Sequence, residues 1–211
     1  MLKLVIVGGS SFGLTVAEIA RRTKAFAVEG YIDDSPEKLP SYSASIYWGT
    51  TDSLSVKKIG SKKLFVAVGN NASRRNLIQH IISLGLESSL VTLIDPAAVL
   101  LGDVSIGLGS VVFPGAVIGP HANLSKGVVV NAHSFIGAMS DIGAFSNICP
   151  GVTVGSCTSI GENAYIGMRA SIIQSLKIAS NTVIGAGASV VNDIDFSGTY
   201  AGIPARQISL N

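Results

Sequence analysis

Four groups of residues in this chain are of types that do chemistry. The first is the run Gly8, Gly9, Ser10, Ser11, Phe12 and Gly13, placed between the apolar stretch LKLVIV and the segment LTVAEIARR. A turn of this kind at the start of a helix presents backbone N–H groups to a phosphate. The run reads G-x-S-x-x-G, with Ser10 where a dinucleotide fingerprint has its second glycine. Two readings stay open, a phosphate-facing turn and a turn that only packs helix against strand. The second group is Asp33 and Asp34, which close the stretch AVEGYIDD. They suit a ribose or a base edge, or else they form the turn ahead of Ser35 and Pro36. The third is Asn70, at the end of KLFVAVGN. The fourth comprises His80, His121 and His133 together with Cys149 and Cys157. The cysteines lack zinc-ligand spacing, so no metal site is expected. Neither a G-x-S-x-G elbow nor a Walker loop occurs.

The elements that must position the first three groups alternate between strand and helix. LKLVIV, AVEGYIDD and KLFVAVGN read as buried strands, each followed by a turn or helix, and a helix starts near Ala72. This pattern predicts a small doubly wound parallel sheet. Its ligands collect at the carboxyl ends of the strands, where the three loops converge.

The second half follows a different rule. From Ile106 to Val190 an aliphatic residue recurs every six positions, fifteen times in succession. Small residues such as Ala116, Ser134, Ser140 and Ala164 stand two positions before the aliphatic, and glycines such as Gly119, Gly137 and Gly155 often follow it. Neither a period of 3.6 nor one of 2.0 accounts for this. The beat predicts a parallel β-helix with three hexads per coil, hence five coils, with residues eighteen apart stacked as neighbours. Small residues and glycines are expected at its corners, where room for a Cβ is short and φ is often positive. After Val190 the beat dissolves into a tail containing Gly202 and Pro204, which is expected to cover the open last coil.

Composition excludes several functions. The net charge of +2 and the lack of basic runs argue against nucleic acid. Mean hydropathy is +0.50, yet no apolar run approaches the roughly 18 residues of a membrane span. The opening MLKLVIVGG is too quickly broken by glycine for a secretory signal. Two cysteines that need not pair suit a cytoplasmic protein with free thiols. The boundary between domains is expected at residues 88/89, with Pro96 at the junction and no flexible linker.

The GGSSFG loop, the YIDDS strand end, the VGNNASRR segment, the hexads, NICPG, and VIGAGASVVNDID followed by YAGIPAR together resemble one family. It is the bacterial sugar acetyltransferases that join a Rossmann-like N-terminal domain to a left-handed β-helix. The family includes UDP-4-amino-sugar N-acetyltransferases and sialic acid O-acetyltransferase-like proteins. The resemblance implies a homotrimer with acetyl-CoA between adjacent prisms and a nucleotide sugar on the N-terminal domain. By position it assigns Gly8, Ser10, Ser11 and Phe12 to the phosphate, Asp33 and Asp34 to the base side, and Asn70 to the third loop. Asn147, Ser156, Met168 and Ala186 match its cofactor-lining positions, with Asn147 standing where relatives commonly have histidine.

One departure concerns the catalytic position. Aligning the hexads puts the family's histidine base at Ala138 and its acidic neighbour at Met139. A general base contributes roughly 10²–10⁴-fold, and neither side chain here moves a proton. Three accounts compete: a chain that binds its ligands without a base, replacement by His133 from a neighbouring side of the prism, or a reaction helped by Asp141 or needing little help. The implied reaction is N-acetylation of a UDP-4-amino-6-deoxy sugar. Sugar O-acetylation, a non-catalytic binding trimer and a purely structural scaffold are the alternatives.

Overall fold

A computed structural model describes residues 1–208 of the chain. It divides into two compact units, Met1–Pro96 and the remainder from Ala97. In the first, four parallel strands run β1 (Leu2–Val7), β2 (Phe26–Ile32), β3 (Tyr47–Gly49) and β4 (Lys63–Val66), in the spatial order β3-β2-β1-β4. Leu4 to Val7 of β1 are fully buried, as the continuous aliphatic run of a strand covered on both faces requires. Helix α1 (Ser11–Arg22) follows β1 and buries Val16, Ala17, Ile19 and Ala20. Short helices α2 (Ser41–Ala44) and α3 (Val56–Ile59) follow, and α4 (Asn71–Ser83) leaves β4. The direction of strand order reverses between β1 and β4, so the loops Gly8–Ser10 and Val68–Asn70 flank the topological switch point, where open α/β sheets bind ligands.

Residues 89–96 fall within this first unit. Leu90 bridges to Leu64, Leu93 is buried, and the buried Asp95 carboxylate meets Arg22 Nε of α1 at 3.0 Å. Burial of that charge holds the segment in place, because an unpaired Asp95 would be costly.

The second unit is a three-faced prism. Face one stacks Ser105–Ile106, Asn123–Leu124, Asp141–Ile142, Ser159–Ile160 and Lys177–Ile178. Face two stacks Val111–Val112, Val129–Val130, Asn147–Ile148, Tyr165–Ile166 and Val183–Ile184, and face three Val99–Leu100, Val117–Ile118, Phe135–Ile136, Thr153–Val154, Ser171–Ile172 and Ser189–Val190. Every pairing between these strands is parallel with a shift of eighteen residues, as in Ile136↔Val154 and Ile142↔Ile160. Of the fifteen aliphatic residues on the beat all are buried except Ile106, half-buried in the first coil. The tail caps the far end. Thr199–Ala201 adds a parallel strand on Val183–Ile184, and Arg206–Gln207 folds back antiparallel.

The corners differ from the expectation that glycine would supply the positive φ. Left-handed conformations fall on His121, His133, Met139, Phe145, Cys157, Asn163, Arg169, Ser175 and Asn181 as well as on glycines such as Gly115 and Gly187. Each such corner is held by its own amide, which donates to a carbonyl of the coil below, as Met139 N to Pro120 O (3.0 Å) and Cys157 N to Ala138 O (2.8 Å). The glycines that follow eight of the fifteen aliphatic residues serve close approach instead. A Cβ on Gly155 would overlap the backbone of Ile173 and Gln174 in the next coil. The buried serines before each aliphatic tie coils together: Ser140 Oγ donates to Gly155 O at 3.0 Å and accepts from Thr158 N at 3.2 Å. Stability measurements separate the two glycine roles. Gly155→Ala is expected to cost roughly 2–4 kcal/mol through overpacking of backbone. Gly187→Ala, whose Cβ meets nothing within 4 Å, is expected to cost about 1 kcal/mol for its left-handed backbone alone. Equal losses of unfolding free energy in denaturant titrations would contradict this division.

Candidate active site

In the first unit the glycine loop sits at the switch point. Gly8 has φ of +104°, and a Cβ there would press on the Ala67 carbonyl oxygen at 2.5 Å. A Cβ on Gly13 would overlap the Gly8 carbonyl. Both glycines are thus required for close packing of loop, helix and β4. Ser10 is the N-cap of α1 with no side-chain cap bond, and Ser10 and Ser11 are exposed at the helix N-terminus. The arrangement offers hydroxyls and the positive end of the helix dipole to an anion. Asp33 is committed to the protein: its Oδ2 accepts from Gly9 N at 2.8 Å and its Oδ1 from Ser35 N at 2.9 Å. Asp34 accepts from Thr51 N (2.7 Å) and Thr51 Oγ1 (2.8 Å). These acids therefore shape the loops around the switch point, the turn-forming role their sequence context allowed. Asn70 caps α4, its Oδ1 accepting from Ser73 N at 2.9 Å.

Sequence reasoning missed Arg74. It is fully buried, and its guanidinium donates to Val68 O (3.0 Å), Gly69 O (3.1 Å) and Asn71 Oδ1 (3.0 Å). Burial pushes its pKa down to about 10, so it stays charged at neutral pH and fixes the third loop from beneath. The signal was present in the buried stripe of α4, Asn71, Arg74, Ile78 and Ile81, where an arginine occupies a position with the spacing of core residues. Tyr31 stands under the glycine loop with Tyr42 edge-on to it at 6.2 Å. Burial, followed by its neighbour Tyr42, raises the Tyr31 phenol to about 12.

In the second unit the sequence-predicted residues separate onto two edges. Ala138, Met139 and Ser156 lie on the edge between faces three and one, in a column with Pro120 and His121. Met168 and Ala186 lie on the edge between faces two and three, in a column with Ala132 and Pro150 and next to the column of His133, Arg169 and Gly187. One face of six residues, at most about 20 Å of chain, stands between the two columns. The second edge carries an open groove of about 870 Å³, lined by His133, Pro150, Met168, Arg169 and Ala186 among others. That volume is typical of a small-molecule site. Gly115 and Gly151 flank His133 in its column, the His133 ring filling the space a Gly115 Cβ would need and the Arg169 side chain lying over Gly151.

The remaining candidates are placed elsewhere. Asn147 is buried on face two and accepts from Asn131 Nδ2 at 2.9 Å. Asp141 projects from face one and accepts from Asn123 Nδ2 at 3.3 Å. His80 is on α4, in the first unit. Both cysteines are free thiols; burial pushes the Cys149 thiol up, away from nucleophilic character. Among the described residues no cluster of three or more histidine, cysteine or acidic side chains could hold a metal.

Comparison with known proteins gives this geometry a family. Residues 3–81 match the model of the PglD N-terminal domain. The chain is 33% identical to the acetyltransferase domain of PglB from Neisseria gonorrhoeae, covering 99% of this chain and 100% of that one with a TM-score of 0.87. The same domain in complex with acetyl coenzyme A matches at 34% identity and a TM-score of 0.86, over 98% of each chain. PerB from Caulobacter crescentus, in complex with CoA and GDP-perosamine, is 28% identical over 98% of this chain and 97% of its own, with a TM-score of 0.76. No curated protein matches significantly by sequence. A Rossmann-like sheet followed by a left-handed parallel β-helix, at one-third identity along the whole length of such an enzyme, identifies the chain as a member of the hexapeptide-repeat sugar acetyltransferases with a PglD-type N-terminal domain.

Proposed function

We propose that this chain transfers the acetyl group of acetyl-CoA to the amine of a nucleotide-linked amino sugar, a UDP-4-amino-6-deoxy sugar being the leading substrate. The observation that carries this is the groove on the Met168 edge, an apolar trough with Arg169 and His133 along one column. The two stand two coils apart, about 10 Å at the spacing of paired strands. A long apolar arm with a phosphate at one end and a reactive thioester at the other fits such a trough. Relatives that hold acetyl-CoA or CoA support the assignment. The switch-point loops of the first unit, with open hydroxyls at the α1 N-terminus, suit the diphosphate of the sugar donor. A GDP-linked sugar is the second reading, favoured by the PerB complex.

In the reaction the sugar amine attacks the thioester carbonyl carbon. A C–N bond forms, the C–S bond breaks, and the proton lost from nitrogen ends on the departing thiol. Ala138 contributes no proton acceptor at the family position, yet binding does not require one: a histidine-to-alanine variant of the Caulobacter enzyme, 29% identical to this chain, holds both CoA and GDP-perosamine. The reading includes a homotrimer. The predicted cofactor-lining residues Ser156 and Met168 stand on different edges of one prism, so a cofactor that touches both is held between two protomers. Outward residues of face one are polar throughout (Ser105, Asn123, Asp141, Ser159, Lys177), whereas Phe135, Met139, Met168 and Ile173 are exposed on or beside face three. That asymmetry supports a reading in which face one meets solvent and the face-three side meets partners, with Tyr165 and Val183 also exposed on the adjoining face two. Free thiols and these substrates suit the cytoplasm, and no helix among the described residues is long and apolar enough to cross a membrane.

The direct test is thiol release from acetyl-CoA with a panel of UDP- and GDP-linked amino sugars and their hydroxyl counterparts. Turnover confined to an amino sugar is expected. Release with the hydroxyl sugars instead would favour O-acetylation, and no turnover or ligand binding with any of them would leave a scaffold. A second outcome concerns Arg74. Arg74→Met removes the bonds that fix the third loop, and hydrogen bonds to a charged group are worth roughly 1.5–3 kcal/mol each. The KM for the nucleotide sugar is expected to rise tenfold or more while the KM for acetyl-CoA holds. Equal changes in both would assign Arg74 to general stability alone.

A further inference from the structure

We infer that the proton acceptor of this enzyme is His133, and that it serves the site whose other wall is the Ala138 edge of the neighbouring protomer. The inference rests on the acetyltransferase reading and adds to it the residue that replaces the missing base.

Three observations carry it. His133 lines the groove on the Met168 edge, exposed in a left-handed corner at φ of +57°. Its column neighbours are Gly115 and Gly151, so neither adjacent coil contributes a Cβ there; the imidazole lies against Gly115, and the Arg169 side chain reaches over Gly151. The other surface histidine of the prism, His121, has Asp103 and Met139 as column neighbours, both of which carry side chains, and is not among the residues lining this groove. The second observation is register. His133 and Ala138 belong to one coil, at the two ends of strand Phe135–Ile136, so they stand at nearly the same height along the prism. The third is separation. Within one protomer a whole face lies between them, beyond the reach of an imidazole. Three parallel prisms about a common axis repeat every height exactly once per protomer, and bringing face three inward sets the Met168 edge of one against the Ala138 edge of the next. The vacancy left at position 138 then faces an imidazole from across the groove.

The proton balance is complete within this arrangement. The amine nitrogen bonds to the acetyl carbon, its proton passes to the unprotonated ring nitrogen of His133, and the imidazolium returns it to the CoA thiolate as the C–S bond breaks. No further reactant is consumed.

Two variants and their mixture test this on the full-length chain. His133→Asn keeps a residue that tolerates the left-handed corner, and it is expected to lower kcat by about 10²–10⁴-fold with little change in the KM for acetyl-CoA. Ser156→Trp fills the opposite edge and is expected to abolish turnover. Both should remain trimers with unfolding midpoints near that of the parent. Co-refolded in equal amounts, three-quarters of the trimers are mixed, and each mixed trimer holds one groove in three with both edges intact. About a quarter of the parental activity is therefore expected to return. No recovery on mixing would place both residues in one protomer's site and overturn the inference, as would full activity of His133→Asn or a comparable loss in His121→Asn. Ala138→His supplies a further arm: with His133 serving, it changes kcat less than about tenfold, whereas a gain of about 10²–10⁴-fold would mean the site has no base. A parent chain and an Ala138→His variant both lacking turnover would instead defeat the acetyltransferase reading itself.

Discussion

Everything in the prism depends on the hydrogen bonds between residues eighteen apart. Because each strand pairs in register with the one a full coil below, side chains of like phase form columns, and a column is what the active surface is made of. The His133 column, beside that of Met168, supplies Gly115, His133, Gly151, Arg169 and Gly187 in vertical order. The Ala138 column supplies proline, alanine, serine and glutamine. A slip of a single residue would turn the aliphatic residues outward and scatter both columns. The narrow interior prevents such a slip, since Ile136, Ile142, Ile148 and Val154 are wholly buried and a polar residue in their place would lie unsatisfied.

This regularity explains why so much of the fold was legible. The hexad beat fixed the faces, the coils and the stacking partners, and the strand ends of the first unit pointed to the switch point. Properties settled by local geometry escaped. The left-handed corners hold histidine, methionine, phenylalanine, cysteine and arginine, because each amide's bond to the coil below compensates a backbone cost of about 1–2 kcal/mol. The glycines were visible, but close approach of the next coil, rather than positive φ, is the reason for those that follow the aliphatic residues.

At the candidate site, legibility ended where partners decide roles. Asp33 and Asp34 suit either a ligand or a turn by position; the Ser35 amide that bonds Asp33 lies in that turn, whereas the Gly9 amide and Thr51 reach the two acids from other loops. Asn147 likewise accepts from Asn131 on the neighbouring coil. Arg74 differs from Arg75 only in the direction its helix turns it, which the mixed composition of α4 obscured. His133 and Ala138 are five apart in sequence, and the face between them, strand Phe135–Ile136, puts them on different edges.

The central claim is that the thioester site is built from the edges of two protomers. A crystal structure of this chain with CoA tests it most directly. The account predicts a trimer in which the pantetheine arm touches Ser156 of one protomer while His133 and Met168 reach it from the next. A CoA lying along one edge of a single protomer, or a chain that crystallises and sediments as a monomer with CoA bound, would contradict it.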